Sequence, residues 1–171
     1  MKVNWEELAR ELGTLTKSGE IGGSSPGVEA LELILGEEFF QQAVNHHLSY
    51  KPGFELARSV LLCIKPWTAM KYCYEIYKSS NDVEERQSVV DLLRFISDRR
   101  ILEWIPEFLA DPDEGVQNAG INIIDQLLFW QILHDDDVHP ILQAALDHSN
   151  AYVRKQAKWI LGTEDKGDSI I

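Results

Sequence analysis

From Val28 onward the apolar residues of this chain recur every three or four positions, and no stretch alternates with period two for long enough to make a strand. Helices are predicted over residues 28–35, 37–48, 54–64, 66–78, 82–97, 101–110, 113–130, 139–146 and 150–161. Each is bounded by a residue that cannot continue a helix or that starts one. Gly36, the turn Tyr50-Lys51-Pro52-Gly53, Pro66, Asp111-Pro112-Asp113 and Gly162 are the stops. Asp82, Asp113, the run Asp135-Asp136-Asp137 and Asn150 stand where the free N–H groups of a first turn need acceptors. Ahead of this array lies a short amphipathic segment, 5–12, with Trp5, Leu8 and Leu12 on one face. Residues 17–27 follow with three Ser and four Gly, a composition that reads as a flexible linker. The expected organisation is a helix plus linker over 1–27, a single helical domain over 28–162 and a frayed polar tail over 163–171.

The later helices repeat one another. Ile105-Pro106-Glu107-Phe108, leading through Asp111 to Val116-Gln117-x-x-Gly120, reads against His139-Pro140-Ile141-Leu142, leading through Asp147 to Val153-Arg154-x-x-Ala157. Glu85-Arg86-x-x-Val89 keeps the Arg of this pattern, and Leu56-Ala57-x-x-Val60 keeps only its apolar positions. A Pro early in one helix, an Asp-rich turn and Val-Arg-x-x-Ala opening the next helix resemble the HEAT repeat family, including its bacterial variant similar to phycobilisome-lyase repeats. The resemblance covers 37–162 as four hairpins and is most specific in the last two.

It implies an all-α fold, a right-handed α-solenoid of stacked antiparallel helix hairpins, with the second helix of each hairpin lining a concave surface. A single hairpin cannot bury its apolar face alone, so stacking supplies the core. Ala119, Gly120 and Ala157 are then the small residues that let helices approach closely. Asn118, Asn122, Asp125 and Phe129 share one helix face, and Gln87, Asp91, Arg94, Lys155 and Trp159 occupy the equivalent positions of neighbouring repeats.

Charge narrows the partner. Of 171 residues 28 are acidic and 16 basic, a net charge of −12. Between Ile101 and Asn150 there are ten acidic residues and no Lys or Arg. Nucleic-acid binding needs cations that displace counterions from phosphates, so a nucleic-acid partner is not expected. Such a block is either a solvated, solubilising face or a surface that steers a basic protein, with Asp135, Asp136 and Asp137 its densest point. No apolar run is long enough to cross a bilayer and the start of the chain lacks a signal-peptide layout, so a cytoplasmic protein with no membrane partner is expected. Cys63 and Cys73 have no metal or redox spacing and read as buried, reduced thiols. Trp67, Trp104 and Trp159 stand at core spacing, whereas Trp5 and Trp130 are placed to be exposed.

Little else points to chemistry. His134-Asp135-Asp136-Asp137-Val138-His139 is rich in ligands, but it spans a helix start, where Asp has capping work of its own. His46-His47 sends one ring inward and one outward. There is no phosphate-binding loop, nucleophile elbow or His-Glu-x-x-His. No catalytic residue, metal or cofactor is therefore expected. The reading is a non-catalytic protein-interaction module for a basic partner, one form of which is an immunity-type inhibitor of a toxin. The alternatives are an enzyme or lyase-like subunit on a HEAT fold and a structural subunit of a larger assembly. The candidate contact residues are Asp91, Asn118, Asn122, Asp125, Phe129, Asp135, Asp136, Asp137 and Trp159.

Overall fold

The computed structural model describes residues 2–163, and the described residues are almost entirely helical. The helices are α1 (Trp5–Glu11), α2 (Ser24–Leu35), α3 (Glu37–Leu48), α4 (Phe54–Ile64), α5 (Trp67–Ser79), α6 (Val83–Ile96), α7 (Ile105–Leu109), α8 (Glu114–Phe129), α9 (Asp135–Ala145) and α10 (Ala151–Ile160). A 3₁₀ segment, Arg99–Trp104, leads into α7. Two exposed two-residue strands, β1 (Leu15–Thr16) and β2 (Gly19–Glu20), pair antiparallel. Of the tail expected to fray, 164–171 lie outside the described residues.

Three helix starts differ from the expected ones: α7 begins at Ile105 and not at residue 101, because the chain enters it through the 3₁₀ segment, and two others move toward the N-terminus. Helix α2 begins at Ser24, before Pro26, because a proline in the first turn loses an N–H that has no intrahelical partner anyway. Helix α9 takes the three aspartates into its own first turn, where the exposed N–H groups and the helix dipole favour carboxylates.

The chain divides into two compact units, one up to Tyr72 and one from Cys73, with the division inside α5. In the first unit α3 packs on α2 and α4. Phe40, Val44 and His47, spaced i, i+4, i+7 on α3, are buried, as is Leu61 on α4. His47 packs inward with Nδ1 3.2 Å from the Phe54 carbonyl, while His46 stays exposed. Glu32 of α2 caps α5 from a distance. Its carboxylate accepts the N–H groups of Trp67 (2.8 Å) and Thr68 (2.9 Å) and the Thr68 hydroxyl (2.7 Å). Leu56, the apolar anchor expected for the first hairpin, is 70% exposed, so the repeat pattern does not describe the packing there.

In the second unit α8 is the centre, in contact with α6, α7 and α10, and α9 packs on α10. Helix α6 buries Val89, Val90, Leu92, Leu93 and Ile96; α8 buries Val116, Ile121, Ile123, Ile124 and Leu127; α10 buries Val153 and Ala157. A Cβ at Gly120 would lie 2.8 Å from Cβ of Phe108, closer than side-chain atoms pack, which is why α7 can lie against α8 only at a glycine. Tyr74 and Trp104 stack with centroids 4.4 Å apart. The two cysteines part company: Cys73 is buried as expected, and burial pushes its thiol up, but Cys63 is exposed.

Candidate interaction surface

A buried polar network sets the register of the second unit. Asp111, in the turn between α7 and α8, is almost wholly buried and receives Arg86 of α6 through two nitrogens, at 3.2 and 3.3 Å. Gln117 stands where the repeat pattern has Arg. It donates to the Asp111 carbonyl (2.7 Å) and accepts from the Asn150 amide (2.9 Å). A neutral side chain that both donates and accepts thus joins two turns inside the core, which an arginine, a donor only, could not do. His148 completes the link. Its Nδ1 accepts from the Asn150 N–H (3.1 Å), which leaves the proton on Nε2 to donate to the Leu109 carbonyl (2.8 Å).

These contacts bring residues near the starts of three helices together. Gln87 of α6 abuts Gly115 near the start of α8. Asn150, the cap of α10, donates to Asn118 (3.0 Å), and the Tyr152 hydroxyl donates to Asn122 (3.0 Å), one turn further along α8 and two residues further along α10. The residues that meet Asn118 and Asn122 across α8 and α10 are thus Asn150 and Tyr152, and not Lys155 and Trp159, the positions equivalent by the repeat.

The candidate residues separate into used and unused groups. Asp91 pairs with Arg94 on its own helix at 3.2 Å. The side-chain oxygens of Asn118 and Asn122 are taken up by Asn150 and Tyr152. Asp137 caps α9 by accepting the His134 N–H (3.0 Å) and meets Arg99 at 2.5 Å. By contrast Asp125, Asp135 and Asp136 are exposed and make no ion pair among the described residues. Phe129 is 73% exposed and Trp159 63%. The expectation that Trp159 packs in the core is thus corrected: it faces solvent. Trp130, outside the expected contact set, is 60% exposed and meets Phe129 edge-to-face at 5.3 Å.

The acidic window is partly neutralised by cations from outside it. Lys78 pairs with Glu107 (2.8 Å), Arg86 with Asp111 and Arg99 with Asp137. Glu103, Glu114, Asp125, Asp135, Asp136 and Asp147 remain exposed and without an ion pair among the described residues. Asp135 and Asp136 edge a groove of about 570 Å³ lined by Leu128, Gln131, Leu133 and His134. No group of three or more His, Cys, Asp or Glu side chains that could hold a metal ion occurs among the described residues. No helix there is long and apolar enough to cross a membrane.

The chain matches no family model, no curated protein and no solved structure.

Asp137 gives one direct check. The His134 N–H it accepts, and after that the Arg99 charge, hold its carboxyl below the usual range. A carboxyl depressed in the folded state stabilises above its unfolded value, and that stability is lost as pH falls through the folded value. Asp137→Asn is expected to lower the melting temperature at neutral pH, with the difference from wild type vanishing in acid. Thermal melts across pH measure it, and a pH-independent difference would mean the charge does no work at this cap.

Proposed function

We propose that this chain is a non-catalytic binding module, a HEAT-like right-handed solenoid, that holds a basic cytosolic protein on the face shared by α6, α8 and α10. The observation that carries the reading is the exposure of Phe129, Trp130 and Trp159 at one end of α8 and α10, beside Asp125, in a stretch whose free carboxylates outnumber its cations. Burying a large aromatic side chain stabilises a complex by roughly 1.5–3 kcal/mol, and aromatic residues dominate binding hot spots. Carboxylates around such a patch speed the encounter with a basic partner and reject an acidic one. One form of such a module is an immunity-type inhibitor of a basic toxin, whose own positive site would face these carboxylates.

Capture from the native source, identification by mass spectrometry and surface plasmon resonance with the purified partner test the proposal. Association should slow steeply with salt, since exposed charges are screened beyond about 8–10 Å at physiological ionic strength. Asp135→Asn with Asp136→Asn should lower the on-rate more than it raises the off-rate, while Phe129→Ala or Trp159→Ala should raise the off-rate by at least tenfold. An acidic partner, or one whose off-rate ignores both aromatic substitutions, would overturn the assignment.

A further inference from the structure

We infer that the partner is held through an arginine side chain, taken up by Asp125 and the rings of Phe129 and Trp159. The inference rests on the proposed function and names what that surface recognises. It starts from a comparison inside the molecule. On α6, Arg94 pairs with Asp91 at 3.2 Å while its guanidinium carbon lies 4.5 Å from the centre of the Phe95 ring. A carboxylate and an aromatic ring thus hold a guanidinium between them, on the helix directly beside α8.

Helix α8 carries the same two holders without the guanidinium. Asp125 and Phe129 are spaced i, i+4, so their Cβ atoms lie about 5–6 Å apart on one helix face. Both are exposed, and Asp125 has no cation among the described residues. Trp159 adds a second ring from α10. Trp159 stands seven positions after Tyr152 on α10 and Phe129 seven after Asn122 on α8, so each ring shares the helix face of one partner of the Tyr152–Asn122 hydrogen bond and lies about two turns further along. The upper half of the stripe, Asn118 and Asn122, is satisfied internally and has less to offer a partner. The lower half is a carboxylate flanked by rings.

Physical chemistry selects arginine over lysine at such a place. The guanidinium is planar and weakly hydrated, lies flat on a ring and still presents N–H donors in its plane to a carboxylate. An ammonium is a compact, strongly hydrated charge that loses more water on meeting the same rings. Charge complementarity sets the sign of the occupant and the rings choose among the cations.

Two fluorescein-labelled peptides of equal length and charge, one carrying arginines and one lysines in a Gly-Ser background, provide the test by fluorescence anisotropy, with a glutamate peptide as control. The arginine peptide should bind about fivefold more tightly than the lysine peptide, from stacking on two exposed rings. The double variant Phe129→Ala, Trp159→Ala should bring that ratio close to one, while Asp125→Asn should weaken both peptides together. Circular dichroism of each variant checks that the helices remain. Equal binding of the two peptides to the wild type, or a preference that survives loss of both rings, would overturn the arginine assignment and leave the basic-partner reading standing. Binding of neither peptide, or of the glutamate peptide alone, would overturn both.

Discussion

Asp111→Ala is expected to destabilise the second unit by about 3 kcal/mol, the cost of breaking a buried ion pair by removing one partner. The Arg86 and Asp111 side chains are only 13% and 5% exposed, so water cannot replace what either loses. Removing the carboxylate leaves the guanidinium with the Ser80 carbonyl at 3.4 Å and deprives the Asp113 N–H of its acceptor at 2.9 Å. Tyr77 provides an independent reading. Burial first, and the Asp111 charge after it, push its phenol up to about 12, so the substitution should bring its titration back toward the ordinary tyrosine value. Urea denaturation measures the stability and ultraviolet absorbance the phenol. Arg86→Met with Asp111→Leu should recover most of the loss, because two apolar side chains leave no charge stranded. A double variant as unstable as the single one would show that the turn needs the aspartate for its shape and not for its pairing.

Ala157→Leu is expected to cost about 1–3 kcal/mol through overpacking, and Gly120→Val at least as much. Ala157 has no exposed surface, and the first carbon added at Gly120 already falls 2.8 Å from Phe108. Ala151→Leu, on the exposed side of the same helix α10, is the control and should leave the melting curve nearly unchanged. If both alanines tolerate leucine equally, α10 does not pack by the face that Val153 and Ala157 define.

The helices were legible because their ends carry the chemistry that makes ends. Helices α3 and α4 run over the residues expected from Gly36, Pro52-Gly53 and Pro66. The misplaced residues are errors of angle. Trp159 lies two positions from buried Ala157, and Cys63 two from buried Leu61, which turns each about 200° away from the core in a helix of 3.6 residues per turn. Five positions separate Leu56 from Leu61, which turns it about 140° away. Apolar character alone had placed these residues inside, whereas the helix period places them outside. The acidic window was overstated for a different reason. Its neutralising partners Lys78, Arg86 and Arg99 stand 29, 25 and 38 residues from the carboxylates they meet, and no local pattern announces pairs formed by folding. The face joining α8 and α10 was legible on α8 alone, since Asn150 and Tyr152, which join it, stand outside the stripe expected on α10. Which residues hydrogen-bond to each other and which stay free depends on Asn150 and Tyr152 arriving from a neighbouring helix.

The contrast between the two cysteines makes this protein ready for site-specific labelling without mutagenesis. Cys73 is sealed and its burial disfavours the reactive thiolate, whereas Cys63 stands open on α4. A maleimide dye or nitroxide should therefore attach at one position, in the unit that does not carry the aromatic row. Such a probe could follow unfolding or partner capture while Phe129, Trp130 and Trp159 keep their native chemistry.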